Sequence, residues 1–122
     1  MPIEFSDLRP IYLQIADVLI NRILELQYSA DNKLPSIREL SIEMGVNSRT
    51  VLKAMDFLAE HDIAESHRGM GYYLKDEAIT KATMLRKTEF FNEVLPQLAE
   101  KMKLLDITAA ELQEHLSHLL AR

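Results

Sequence analysis

A mainly α-helical fold carrying one small β-hairpin is predicted by three features of this 122-residue sequence. Apolar residues recur at helical spacing over most of the chain, only 3 glycines and 4 prolines punctuate it, and the one stretch rich in strand formers, Ile63 to Leu74, has a glycine-bearing loop near its centre. Hydrophobic residues make up 48% of the chain and charged residues 27%, the balance of a globular protein rather than a disordered one. With 0 Cys there is no disulfide, cysteine nucleophile or thiolate metal site, which sets the zinc-finger class aside. No apolar run approaches the ~20 residues that span a bilayer. The start MPIEFSD also lacks the basic and apolar regions of an export signal, so a soluble cytoplasmic protein is expected.

Pro10 suits a first helical turn, and Ile11, Ile15, Leu19, Ile23 and Leu26 follow at helical spacing, predicting a helix that runs to about residue 27. Tyr28 to Asn32 is turn-forming, and Lys33-Leu34-Pro35 reads as extended because a residue before proline avoids the helical region. Ser36 and Glu39 form a capping box for a second, short helix with the apolar stripe Ile37, Leu40 and Met44. Gly45 is suited to the left-handed residue that ends it, Val46 to the corner, and Asn47 to the cap of a third helix. There Val51, Ala54, Met55 and Leu58 make the core face, while Arg49, Lys53 and Asp56 project from the other side, the two cations one turn apart. Ile63 to His67 and Tyr72 to Leu74 then read as strands joined by Arg68-Gly69-Met70-Gly71. Two helices meeting at a glycine corner, the second presenting cations, with a hairpin directly after, add up to a winged helix-turn-helix.

Beyond Asp76 the pattern is helical again. Phe91, Leu95, Leu98, Met102 and Leu105 are spaced 4, 3, 4 and 3 apart, the start of a coiled-coil-like seam. Pro96 interrupts it, which predicts a kink or break around Val94 to Pro96. Thr108 and Glu111 form a further capping box, and Ala109, Leu112, Leu116, Leu119 and Leu120 make an amphipathic closing helix. The division expected is a winged helix-turn-helix domain over 1–75 and a helical tail over 76–122. The seam is more apolar surface than a small winged domain can cover, so it favours a homodimer through Phe91, Leu95, Leu98, Met102 and Leu105 over packing back on the first helix.

The net charge of −5 argues against a nucleic-acid partner, since phosphates call for cations. Lys33 to Lys75 holds six basic and six acidic residues, so that stretch is neutral overall. Binding depends on one face, however, and Arg38, Arg49, Lys53 and Arg68 are all plausible on the same one. In the functional reading the third helix enters the major groove of double-stranded DNA. Arg49 offers a fork of donors to guanine, Asn47, Ser48 and Thr50 meet phosphate or base edges, and Gly69 lets the hairpin tip approach the backbone. The plain alternative for the cations is a solvated helix face, and for the molecule a winged-helix module that docks proteins without binding DNA. His67 reads equally as a phosphate donor or a surface residue. His115 and His118, with Glu111 and Glu114 nearby, share a helix face but lack a third ligand at fixed spacing and read as solvent-facing polar residues. No nucleophile elbow, phosphate-binding glycine loop or paired carboxylates appear, so neither enzymatic activity nor a cofactor is expected.

The segments Pro10 to Ala16 (PIYLQIA), Leu34 to Leu40 (LPSIREL), Gly45 to Asn47 (GVN), Thr50-Val51 and Arg68 to Leu74 (RGMGYYL) together resemble the GntR family of bacterial transcription regulators over residues 9 to 75. The short two-helix tail beyond the wing is similar to the YtrA-type branch, whose members lack a large effector domain and dimerise through those helices. This resemblance implies a cytoplasmic repressor in which Arg38, the first turn of the third helix (Asn47, Ser48, Arg49, Thr50) and Gly69 contact DNA. Lys53 matches a basic position common in that branch. Ser48 and Leu52 stand where many relatives carry basic residues, and Asp62 where the family usually has glycine. YtrA-like regulators often resemble local controllers of neighbouring transport operons. Only 47 residues follow Lys75. Without strands they can hardly enclose the ~300 Å³ of a metabolite pocket, which leaves any effector unidentified.

Overall fold

The structure, a computed structural model, describes Phe5, Ser6 and residues 8–121; the rest of the opening segment MPIEFSD and Arg122 lie outside the described residues. The elements run α1 (Ile11–Leu24), α2 (Ile37–Met44), α3 (Ser48–Glu60), β1 (Ala64–His67), β2 (Gly71–Leu74), α4 (Ala78–Glu89), a π-helical turn (Phe90–Val94), α5 (Leu95–Leu105) and α6 (Ala109–Leu120). They fall into two compact units, Met1–Met84 and Leu85–Arg122.

In the first unit α3 packs against both α1 and α2. Ile15, Leu19, Ile20 and Ile23 of α1 meet Leu40 of α2 and Val51, Met55 and Leu58 of α3 in a core that Leu34 and Ile63 close from the flanking segments. The capping box of α2 is complete: the Glu39 amide donates to Ser36 Oγ at 3.0 Å and the Ser36 amide to Glu39 Oε1 at 3.0 Å. Between α1 and α2 the Arg22 guanidinium grips both oxygens of Glu43, one at 3.2 Å, and its Nη1 also donates to the Tyr28 hydroxyl at 3.3 Å. β1 and β2 pair antiparallel with Ser66 opposite Tyr72. Lys33 forms a bridge to Tyr73, and the Leu34 amide donates to the Tyr72 carbonyl at 3.0 Å, so the extended segment before α2 serves as a third, short strand.

Four helices end the same way, on a left-handed residue followed by an amide that reaches back five positions. These residues are Leu26, Gly45, Asp62 and Asp106, with φ between 57° and 65°, and the returning amides belong to Gln27, Val46, Ile63 and Ile107. Only Gly45 was legible in the sequence as such a stop. The end of α1 therefore differs from the expectation: it closes at Leu24, and Leu26 turns out to solvent instead of extending the apolar stripe. Ile11, at the other end of that stripe, is also exposed, while Ala16 and Ile20 complete the buried face.

Pro96 brings neither a stop nor a missing turn. The five residues before α5 wind as a π-helix, whose wider turn accommodates a residue that offers no amide and whose ring crowds the preceding turn. Thr108 caps α6 by accepting from the Glu111 amide at 3.1 Å. No residue of the π-helical turn, α5 or α6 is buried.

Candidate nucleic-acid interface

The site grows from α3. Its core face, Val51, Ala54, Met55 and Leu58, is wholly buried, which fixes the opposite side toward solvent. Ser48, Arg49, Lys53, Asp56 and Glu60 are exposed there, and Thr50 is half-buried on the flank. Asn47 caps the helix by accepting the Arg49 amide on Oδ1 at 2.8 Å, so its carbonyl oxygen is engaged and its amide nitrogen keeps two donors. Charge is divided along the exposed face: the first two turns carry Arg49 and Lys53, the later turns Asp56 and Glu60. The helix N-terminus adds its partial positive charge to the cationic half.

Lys53 is not a free-swinging cation. Its ammonium lies 5.7 Å from the centre of the Tyr12 ring on the first turn of α1, within cation–π range. Tyr12 is a neighbour that the sequence reading missed, because the contact joins residues 41 positions apart and no local spacing announces it. Leu52, one of three residues between Arg49 and Lys53 in the sequence, is exposed as well, lying at the edge of the same face.

Arg38 is exposed in the first turn of α2, beside the Ser36 cap. Glu39 in that turn is held below the usual carboxylate range by hydrogen bonds from Ser36, the backbone amide first and the hydroxyl second. Glu43 is lowered chiefly by its hydrogen bonds from Arg22, whose guanidinium is raised in turn by the same pairing. The clamp fixes α2 on α1 and with it the base of the helix-turn-helix corner. Burial pushes the Tyr72 phenol up, and the charge of Asp56 adds to the effect.

Arg68 and Gly69 occupy the exposed tip of the wing, where the Met70 amide closes the turn on the His67 carbonyl at 2.8 Å. Gly69 and Gly71 both have positive φ, 74° and 96°, so the turn itself calls for glycine at each. His67 stacks on Tyr73 with ring centres 4.4 Å apart and lies 3.2 Å from Glu65 Oε1. Thus Asn47, Ser48, Arg49, Thr50 and Lys53 are gathered on the first two turns of one helix, with Arg38 on the helix before it and Arg68 and Gly69 on the hairpin after it.

A helix-turn-helix with an exposed, N-terminally cationic second helix and a tethered hairpin defines a DNA-binding transcription regulator of the winged type. Residues 11–74 match the model of the family described as "Bacterial regulatory proteins, gntR family", and the chain belongs to that family. It is 32% identical over 111 residues to the HTH-type transcriptional regulator YhcF of Bacillus subtilis, covering 91% of this chain and 90% of that one. It is 37% identical over 90 residues to the HTH-type transcriptional repressor YtrA of Bacillus subtilis, covering 73% and 68%. This likeness puts it in the YtrA-type branch. Among solved structures, a transcriptional regulator of the GntR family from Bacteroides thetaiotaomicron superposes with a TM-score of 0.76 at 28% identity, over 92% of this chain and 97% of that one. The DNA-binding domain of AraR, crystallised in complex with an operator, superposes with a TM-score of 0.54 at 25% identity, over 62% of this chain and 93% of that one. Among the described residues no helix is long and apolar enough to cross a membrane.

Proposed function

We infer that the chain is a homodimeric, sequence-specific repressor of a nearby operon, working in the cytoplasm. The observation that carries this reading is the polarised outer face of α3, whose cationic half leads and whose acidic half follows. Phosphates attract the first two turns and repel the later ones, so α3 enters the major groove by its N-terminal end. Arg49 reaches a guanine edge, Asn47, Ser48 and Thr50 meet phosphates or neighbouring base edges, and Lys53, steadied on Tyr12, holds a phosphate. Arg38 and the wing tip, Arg68 and Gly69, hold the flanking backbone.

The repressor role follows the relative YtrA, which is named as one, and transport genes are the target class that the YtrA-type resemblance suggests. Residues 1–75 read DNA in this account and residues 76–122 dimerise. The π-helical turn, α5 and α6, which have no buried residue, gain a core only from a partner, and the exposed Phe91, Leu95 and Leu105, with half-buried Leu98 and Met102, supply the apolar surface. Selection from a pool of random duplexes tests the reading. Enrichment of a two-fold symmetric sequence is expected, and recovery of unenriched DNA after repeated rounds would reject it in favour of the protein-docking alternative.

A further inference from the structure

The outer face of α3 holds one side chain that its charges do not explain. Leu52 is 40% exposed. At 100° per residue it lies about 60° round the helix from Arg49, on the side away from Lys53. It is therefore at the rim of the surface that the two cations bring against DNA. It follows Ser48 by one turn and precedes Asp56 by one turn, so it sits where the cationic half gives way to the acidic half.

A leucine can neither donate nor accept a hydrogen bond. Phosphates, sugar oxygens and most base-edge atoms offer it nothing, and the C5-methyl group of thymine is the one apolar feature distinctive of a base pair in the major groove. Resting on the reading of α3 as the recognition helix, we propose that Leu52 is a specificity-determining residue that packs on a thymine methyl in each half of the operator. Three residues separate it from Arg49, about 4.5 Å along the helix axis, against about 3.4 Å between base pairs. The thymine accordingly lies within about two base pairs of the guanine that Arg49 reads.

Leu52 is outside the core, so its truncation leaves the fold unchanged, which circular dichroism and thermal melting of the variant verify. The test uses the full chain and the operator enriched by selection. Each thymine of a half-site is replaced in turn by deoxyuridine, which removes only the methyl group, and binding of wild type and Leu52→Ala is measured. For wild type, affinity falls about fourfold at one thymine per half-site, the loss expected for uncovering one buried methyl. For Leu52→Ala the same replacement has no effect. A wild type indifferent to every methyl, or a Leu52→Ala variant that keeps the full methyl dependence, overturns the assignment while leaving DNA binding in place. A selection that enriches no sequence overturns the DNA-reading role itself, and with it this proposal.

Discussion

Arg49 and Lys53 sit one turn apart on the same face, yet their substitutions should not read alike. Removing the guanidinium by Arg49→Ala should cost about 1–3 kcal/mol of binding per half-site and relax preference at one base pair in each half-site. Lys53→Ala should weaken binding to all sequences similarly and lower the slope of log affinity against log salt by about two, one phosphate for each chain of the proposed dimer. Titrations at several salt concentrations on operator and scrambled duplexes separate the two outcomes. Both cations were legible in the sequence because the apolar residues of α3 fix which side faces inward. The outward turn of Leu52 and the approach of Tyr12 to Lys53 were not. A residue at the margin of the core face can turn either way until packing decides, and the ring beside Lys53 comes from a different helix.

A second prediction at this scale concerns the Arg22–Glu43 clamp. The Glu43 carboxyl titrates lower in the folded chain than the ordinary glutamate value, near 4.3. The stabilisation it brings is thus complete above that value and is lost as pH falls through the lower folded-state range. Because the Glu43 side chain is 44% exposed, the contribution is small, about 0.5–1 kcal/mol. In urea unfolding, Glu43→Gln should be less stable than wild type by that amount near neutrality. The two should converge in acid.

Among the elements, helix ends carry the most testable detail. Leu26, Asp62 and Asp106 hold a left-handed conformation that costs a side-chain-bearing residue roughly 1–2 kcal/mol relative to the right-handed one. Leu26→Gly relieves that cost at a position 55% exposed. It also frees the unfolded chain, an opposing effect of about 0.5–1 kcal/mol, so a gain of about 1 kcal/mol or less in unfolding free energy is expected. Gly45→Ala, at φ 65° with open space around the added carbon, should lose about 1 kcal/mol or more. Together these explain why the end of α2 was legible to within a residue while that of α1 was not. A glycine announces its stop, and a leucine in the same conformation looks like one more member of the stripe. Pro96 was a clear warning of irregularity, but its form, a π-helical turn placed just ahead of it, depends on how the preceding carbonyls rearrange and has no counterpart in the residue pattern.

On the scale of the whole molecule, an overall negative charge and DNA binding coexist because four of the 14 cations, Arg38, Arg49, Lys53 and Arg68, are exposed at the start of α2, on the first half of α3 and at the wing tip. A lone chain with so few cations on that surface binds DNA weakly, and the proposed dimer would double the surface. Phe91, 58% exposed, and Leu95, 41% exposed, make no core in the single chain. The paired substitution Phe91→Asp with Leu95→Asp should therefore spare folding and reduce the mass in light scattering from about twice 14.0 kDa to one chain. Binding to duplexes bearing one or two half-sites, their centres about 10 bp or a multiple apart, tests the account most directly. It predicts two chains on the double site, with affinity far above that for the single site and lost in the Phe91→Asp, Leu95→Asp variant. Equal affinity for single and double sites, with one chain bound to each, would contradict it.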